Sequence, residues 1–134
     1  MADGLWALAS SAPQNLYQRL QPVFVFFTLQ QCIDGTFVRT LGRLDSLFYP
    51  YFTQENPDVA LQLIEYFIKE IDTLQAIANI PFAIGGTDKN GNSLVNPLSY
   101  VILDTYGKLN TINTKFHILY SSNMPDELVK QAFQ

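Results

Sequence analysis

A mainly α fold is predicted for this chain: a helical domain with a helix-turn-helix-like N-terminal part and a long antiparallel helical hairpin. Three observations carry that expectation. Asn56-Pro57 and Asn96-Pro97 each pair an N-cap side-chain oxygen with a residue suited to the first helical position, where no N–H is needed. Apolar residues then recur at helical spacing: Leu61, Ile64, Ile68 and Ile71 after the first pair, and Leu98, Ile102, Leu109, Ile112 and Phe116, with Thr105 counted, after the second. Between them, the stretch from Gly85 to Asn92 holds residues that tolerate positive φ and close a tight reversal.

With 134 residues, 48% of them hydrophobic, the chain is long enough for one cored domain and too short to expect two. The expected division is a flexible N-terminus over 1–14, a helix-turn-helix-like part over 15–50, the hairpin over 57–118 and a tail over 119–134.

Along the chain, Ser10-Ser11-Ala12-Pro13 interrupts any early helix, leaving Leu5, Trp6 and Leu8 to dock as satellite contacts. A helix is predicted from Asn15, with Leu16, Leu20, Phe24 and Phe27 on one stripe and Pro22 bending or splitting it. Asp34-Gly35-Thr36 reads as a turn, after which Phe37, Val38, Leu41, Leu44, Leu47 and Phe48 predict a second helix up to Pro50. Two helices meeting at a short Gly-containing turn are the sequence form of a helix-turn-helix. On the second, Arg39 and Arg43 stand at i and i+4, a face that can meet phosphates or simply be solvated. From Pro57 to about Asn79 the next helix would be roughly 34 Å long, matching a partner of roughly 30 Å after Pro97. Ile80 to Ile84 and Ser93 to Val95 flank the Gly-rich turn and suit either a small β-hairpin at the tip or a plain loop. Pro125 to Lys130 reads as a short final helix, acidic first and basic last.

The net charge of −4 argues against a protein that coats nucleic acid through its overall charge. Its distribution is uneven, since residues 45–88 hold seven acids and one lysine. Cys32 is the sole cysteine, so no internal disulfide and no cysteine-based metal site can form within the chain. The N-terminus lacks a basic leader, and the densest apolar run, Val23 to Leu29, is far short of the ~20 residues a spanning helix needs. A soluble protein of the cytoplasm, without membrane contact, is expected. The Gly85 to Gly91 stretch lacks the Gly-Lys-Ser/Thr ending of a phosphate-binding loop, so no ATP hydrolysis is expected. His117 is the lone histidine and reads as a helix C-terminal cap; no catalytic relay, metal or cofactor is expected.

The Asn-Pro-capped helix after a Gly-containing loop, and the tail Phe116-His117-Ile118-Leu119-Tyr120-Ser121-Ser122-Asn123, resemble the C-terminal pattern of phage terminase small subunits. In that family the tail reads Phe-Gly-Leu-Thr-Pro-Ser-Ser-Arg. The resemblance implies a non-enzymatic, ring-forming homo-oligomer in the host cytoplasm that binds double-stranded viral DNA and delivers it to the terminase large subunit. It further implies that Arg39 and Arg43, with Arg19 and Lys89, would touch phosphates. The alternative is an acidic helical adaptor or regulator that binds another protein through an apolar helix face.

Overall fold

The structure is a computed structural model describing residues 6, 8–35, 40–74 and 80–133. From Leu16 on, the described elements are α1 (Leu16–Asp34), α2 (Leu44–Phe52), α3 (Pro57–Thr73), β1 (Ile80–Gly85), α4 (Pro97–Leu109), β2 (Thr114–Leu119) and α5 (Asp126–Ala132). The architecture is α/β, not mainly α. β1 and β2 pair in parallel from Ile80 opposite Thr114 to Gly85 opposite Leu119, with α4 as the crossover. On the other edge of β1, Leu41 N–H donates to the Pro81 carbonyl at 2.9 Å and Ala83 N–H to the Gly42 carbonyl at 2.9 Å. Arg43 and Ala83 form a parallel bridge, so the backbone before α2 acts as a third parallel segment.

Helix starts follow local chemistry. The Asn15 side chain accepts from Gln18 N–H, and that of Asn56 from Asp58 and Val59 N–H. Asn96 and Ser99 form a reciprocal capping box ahead of Pro97. Pro22 does not split α1, which continues to Gly35 in the left-handed conformation. Leu16, Phe48, Ile64, Ile68, Leu98 and Ile102 are among the residues that close the core. An aromatic trio joins strands to crossover, with Tyr106 ring centroids 5.8 Å from Phe82 and 4.9 Å from Phe116.

The long hairpin is overturned where local geometry defeats periodicity. α4 stops at Leu109 because Asn110 turns left-handed, with φ 49°. Ile112 is then 86% exposed, and Phe116 belongs to β2, although both keep the helical spacing. α3 and α4 still pack together, but span 17 and 13 residues. No hairpin pairs 80–84 with 93–95. The loop closes on Asp88 instead, whose carboxylate accepts from the Asn90 and Asn92 N–H groups and the Asn92 amide. The Asn92 side-chain bond leads the effects that hold the Asp88 carboxyl below its ordinary range. The helix-turn-helix also fails: Leu41 to Arg43 are extended beside β1, and the predicted helix start at 36–39 lies outside the described residues. Trp6 is 77% exposed rather than docked.

Two carboxylates fix the connections around the strands. Asp45, in the first turn of α2, is completely buried. It accepts at 2.7 Å from each of three donors, the Ser46 N–H, the Gly85 N–H and the Ser99 hydroxyl. One side chain therefore ties the start of α2, the end of β1 and the start of α4. Asp72, near the end of α3, accepts from the N–H groups of Ile112, Asn113 and Thr114, so it holds the turn that aims β2. Burial acts to raise the Asp72 pKa and is the largest single influence. The Asn113, Thr114 and Ile112 N–H donors and the Thr114 hydroxyl together outweigh it, leaving the carboxyl below its ordinary range.

Asp45→Asn places an amide where three donors converge, and urea denaturation should show a loss of about 2–3 kcal/mol. Ser99→Ala should cost about 1–2 kcal/mol, and the double variant less than the sum, since both act on one hydrogen-bond network. Because the native Asp72 pKa lies below the unfolded one, its contribution is complete above the unfolded carboxylate range near ~4. It is lost as pH falls through the depressed native value. The stability difference between the wild type and Asp72→Asn should therefore be constant near neutrality and shrink in acid, measured by denaturation across pH.

Candidate functional site

A parallel strand pair presents two faces, and here the sequence treats them differently. Ile80, Phe82 and Ile84 of β1 and Thr114, Phe116 and Ile118 of β2 point to the helices. Pro81, Ala83, Lys115, His117 and Leu119 lie on the opposite face, where the described helices do not cover them, and the last three are exposed. Parallel sheets are ordinarily covered on both sides, so an open face marks a place where something else is meant to sit.

On that face a hollow of about 330 Å³ lies between the segment before α2 and the two strands. Thr40, Arg43, Ala83, His117 and Leu119 are among the residues that line it. From β1 it is lined by Pro81 to Ala83, and from β2 by His117 and Leu119, the latter opposite Gly85 at the carboxyl ends of the strands. There Gly85 and Gly86 both take positive φ, 76° and 83°, a backbone only glycine adopts without strain. The Gly85 N–H is drawn inward to Asp45, and the Gly86 N–H donates to the Leu119 carbonyl at 2.8 Å, joining the two strand ends. A Cβ on Gly86 would lie 3.5 Å from Arg43 Nη1, so the guanidinium lies close against this glycine pair. Arg43 Nη1 reaches the Gly85 carbonyl at 3.5 Å, the outer limit of a hydrogen bond. The Thr40 hydroxyl is committed, donating to the Pro81 carbonyl at 3.1 Å.

The residues predicted to touch DNA contact different parts of this fold. Arg43 stands in extended backbone on the open face, not on a helix surface. Arg19 belongs to α1 and holds its guanidinium 5.9 Å from the Tyr51 ring centroid in α2. Lys89 is exposed in the Asp88 loop, and Arg39 lies outside the described residues. His117 is an exposed strand residue, not a helix cap. Periodicity missed Asp45, Ser99 and the Gly85-Gly86 pair as a unit, because hydrogen bonds 40 and 54 residues apart join them. The available signals were Gly42-Arg43 followed closely by Asp45, and two consecutive glycines ending a β-prone run. Among the described residues, no three histidine, cysteine or carboxylate side chains converge as metal ligands. No described helix is long and apolar enough to cross a membrane.

Comparison with known proteins replaces the packaging reading. The chain is 24% identical over 157 aligned positions to the "Probable dehydratase YbiW" of Escherichia coli K12, covering all of this chain and 19% of that protein. It is 25% identical over 148 positions to the (2S)-3-sulfopropanediol dehydratase of Klebsiella oxytoca, covering 96% of this chain and 18% of that one. The chain thus spans about a fifth of the length of the curated relatives it matches. These matches overturn the terminase resemblance and its DNA, large-subunit and ring partners. Both relatives carry enzyme names, which also overturns the expectation of a non-enzymatic protein, the adaptor alternative included. The pattern of the pyruvate formate lyase-like family matches residues 1–134, and the chain belongs to that family.

Proposed function

We propose that this chain forms part of the body of a lyase that eliminates water from a small hydroxylated substrate. The family match along all 134 residues carries this reading, and the two relatives named as dehydratases give it its reaction class. The architecture agrees with such a role. A parallel strand pair backed by helices holds its carboxyl ends rigidly through Asp45 and the Gly86 to Leu119 bond, and leaves one face open. Site residues placed on strands are held more tightly than residues on loops. Within this reading, Arg43 and His117 bind and orient polar groups of the substrate or of the surrounding enzyme. The reaction itself belongs to the whole polypeptide, of which this segment supplies one wall.

The test is an anaerobic assay of the polypeptide that carries this sequence, supplied with vicinal diols that include (2S)-3-sulfopropanediol. Elimination of water from such a diol yields an aldehyde, which an NADH-linked alcohol dehydrogenase reports. Aldehyde that depends on the polypeptide, and is reduced at least about tenfold by Gly86→Val through strain at the strand end, is the expected outcome. Absence of aldehyde from every diol, with the (2S)-3-sulfopropanediol dehydratase active in parallel, would count against the reading.

A further inference from the structure

Arg43 is a half-buried cation with no ion pair among the described residues. Among the described residues the ion pairs are Lys69 with Glu65 and Lys108 with Asp104; no carboxylate lies within ion-pair distance of Arg43. The nearest acid in sequence, Asp45, is occupied by Ser46, Gly85 and Ser99. A guanidinium carries five N–H donors in a fixed fork, and among the described residues its one hydrogen bond is the long one to the Gly85 carbonyl. Across the hollow, His117 contributes a second ring of nitrogens with no hydrogen-bond partner among the described residues.

The remaining surroundings favour an anion. Among the described residues no acidic side chain lines the hollow; Pro81, Ala83 and Leu119 make its walls largely apolar. Apolar walls weaken screening and strengthen the pull of a fixed charge. At about 330 Å³ the space equals about ten waters at liquid density, enough for a small anion with part of its hydration shell. Arginine's planar fork matches two oxygens of one oxyanion, a geometry lysine does not offer.

We propose that this hollow is a binding site for a small oxyanion, gripped by the paired N–H groups of Arg43 with His117 as a second donor. Gly85 and Gly86 turn the strand end beside the guanidinium through positive φ, and a Cβ on Gly86 would stand 3.5 Å from Arg43 Nη1, in ordinary van der Waals contact. The inference deepens the role given above to Arg43 and His117, and because its readout is binding alone, its failure and that of the elimination reaction are told apart.

The polypeptide that carries this sequence, labelled with nitrogen-15 at glycine, alanine, arginine and histidine, is titrated with sodium sulfate and separately with sodium acetate at constant pH and ionic strength. Sulfate probes a tetrahedral oxyanion and acetate a planar carboxylate. Saturable shifts confined to Gly42, Ala83, Gly86, the Arg43 side chain and the His117 ring are expected with at least one of them. Arg43→Gln should weaken binding about tenfold or more, and His117→Gln several-fold, while Lys130→Gln leaves it unchanged. Linear shifts spread over the labelled residues with both anions would overturn the site, as would unchanged affinity in a folded Arg43→Gln protein. The wild-type shift map decides the matter by itself if Arg43→Gln does not fold, and unaltered binding in His117→Gln would remove His117 from the site.

Discussion

A buried carboxylate held by neutral donors, with no cation partner among the described residues, is the constraint on which the site depends. Asp45 is fully enclosed, and removing an ion from water is expensive unless its lone pairs are satisfied. Ser46 and Ser99 supply two donors, one at the start of each of two helices, and the third is the Gly85 backbone. Since every donor must converge on one carboxyl group, the ends of β1, α2 and α4 cannot shift separately. The constraint acts where a helix N-terminus also favours negative charge, which suits Asp45 in the first turn of α2. Asp72 does similar work at the opposite ends of the strands, on a turn more open to water.

These anchors explain how a small parallel sheet persists. Two-stranded sheets are marginal on their own, and this one gains from the Phe82, Tyr106 and Phe116 cluster behind it and from the Leu41 to Arg43 segment beside it. The Tyr106 hydroxyl also donates to the Thr114 carbonyl at 2.8 Å, so the crossover helix fixes the first residue of β2. Rigidity at the back thus serves the open front.

Local chemistry was legible in the sequence and long-range pairing was not. Asn15, Asn56 and Asn96 cap helices as their side chains dictate, the last two with proline next, because capping acts within three residues. The change from helix to strand after Leu109 escaped periodicity, since Ile112 and Phe116 continue the spacing of Leu98 and Ile102 while Asn110 breaks the backbone. β-branched Thr111, Ile112 and Thr114 were the contrary signal. Leu41 and Leu44 likewise stand at helical spacing although an extended segment ends between them. The terminase resemblance rested on Asn-Pro capping, a Gly-containing turn and a Ser-Ser tail. Such features start and stop helices in any family, so they carry no family information. Arg43 was expected on a helix face with Arg39 and stands instead in extended backbone before α2.

The central position of β1 has a consequence for how the chain folds. Its partners lie about forty residues before it and 34 after it, so each ladder closes a long loop before any hydrogen bond can form. Loop closure of that length is entropically slow compared with forming a capped helix. The helices can therefore organise first and the strands lock late, when Asp45 and Asp72 already stand near their donors. Until those ladders close, the apolar side chains of β1 lack the partners that cover them in the finished fold.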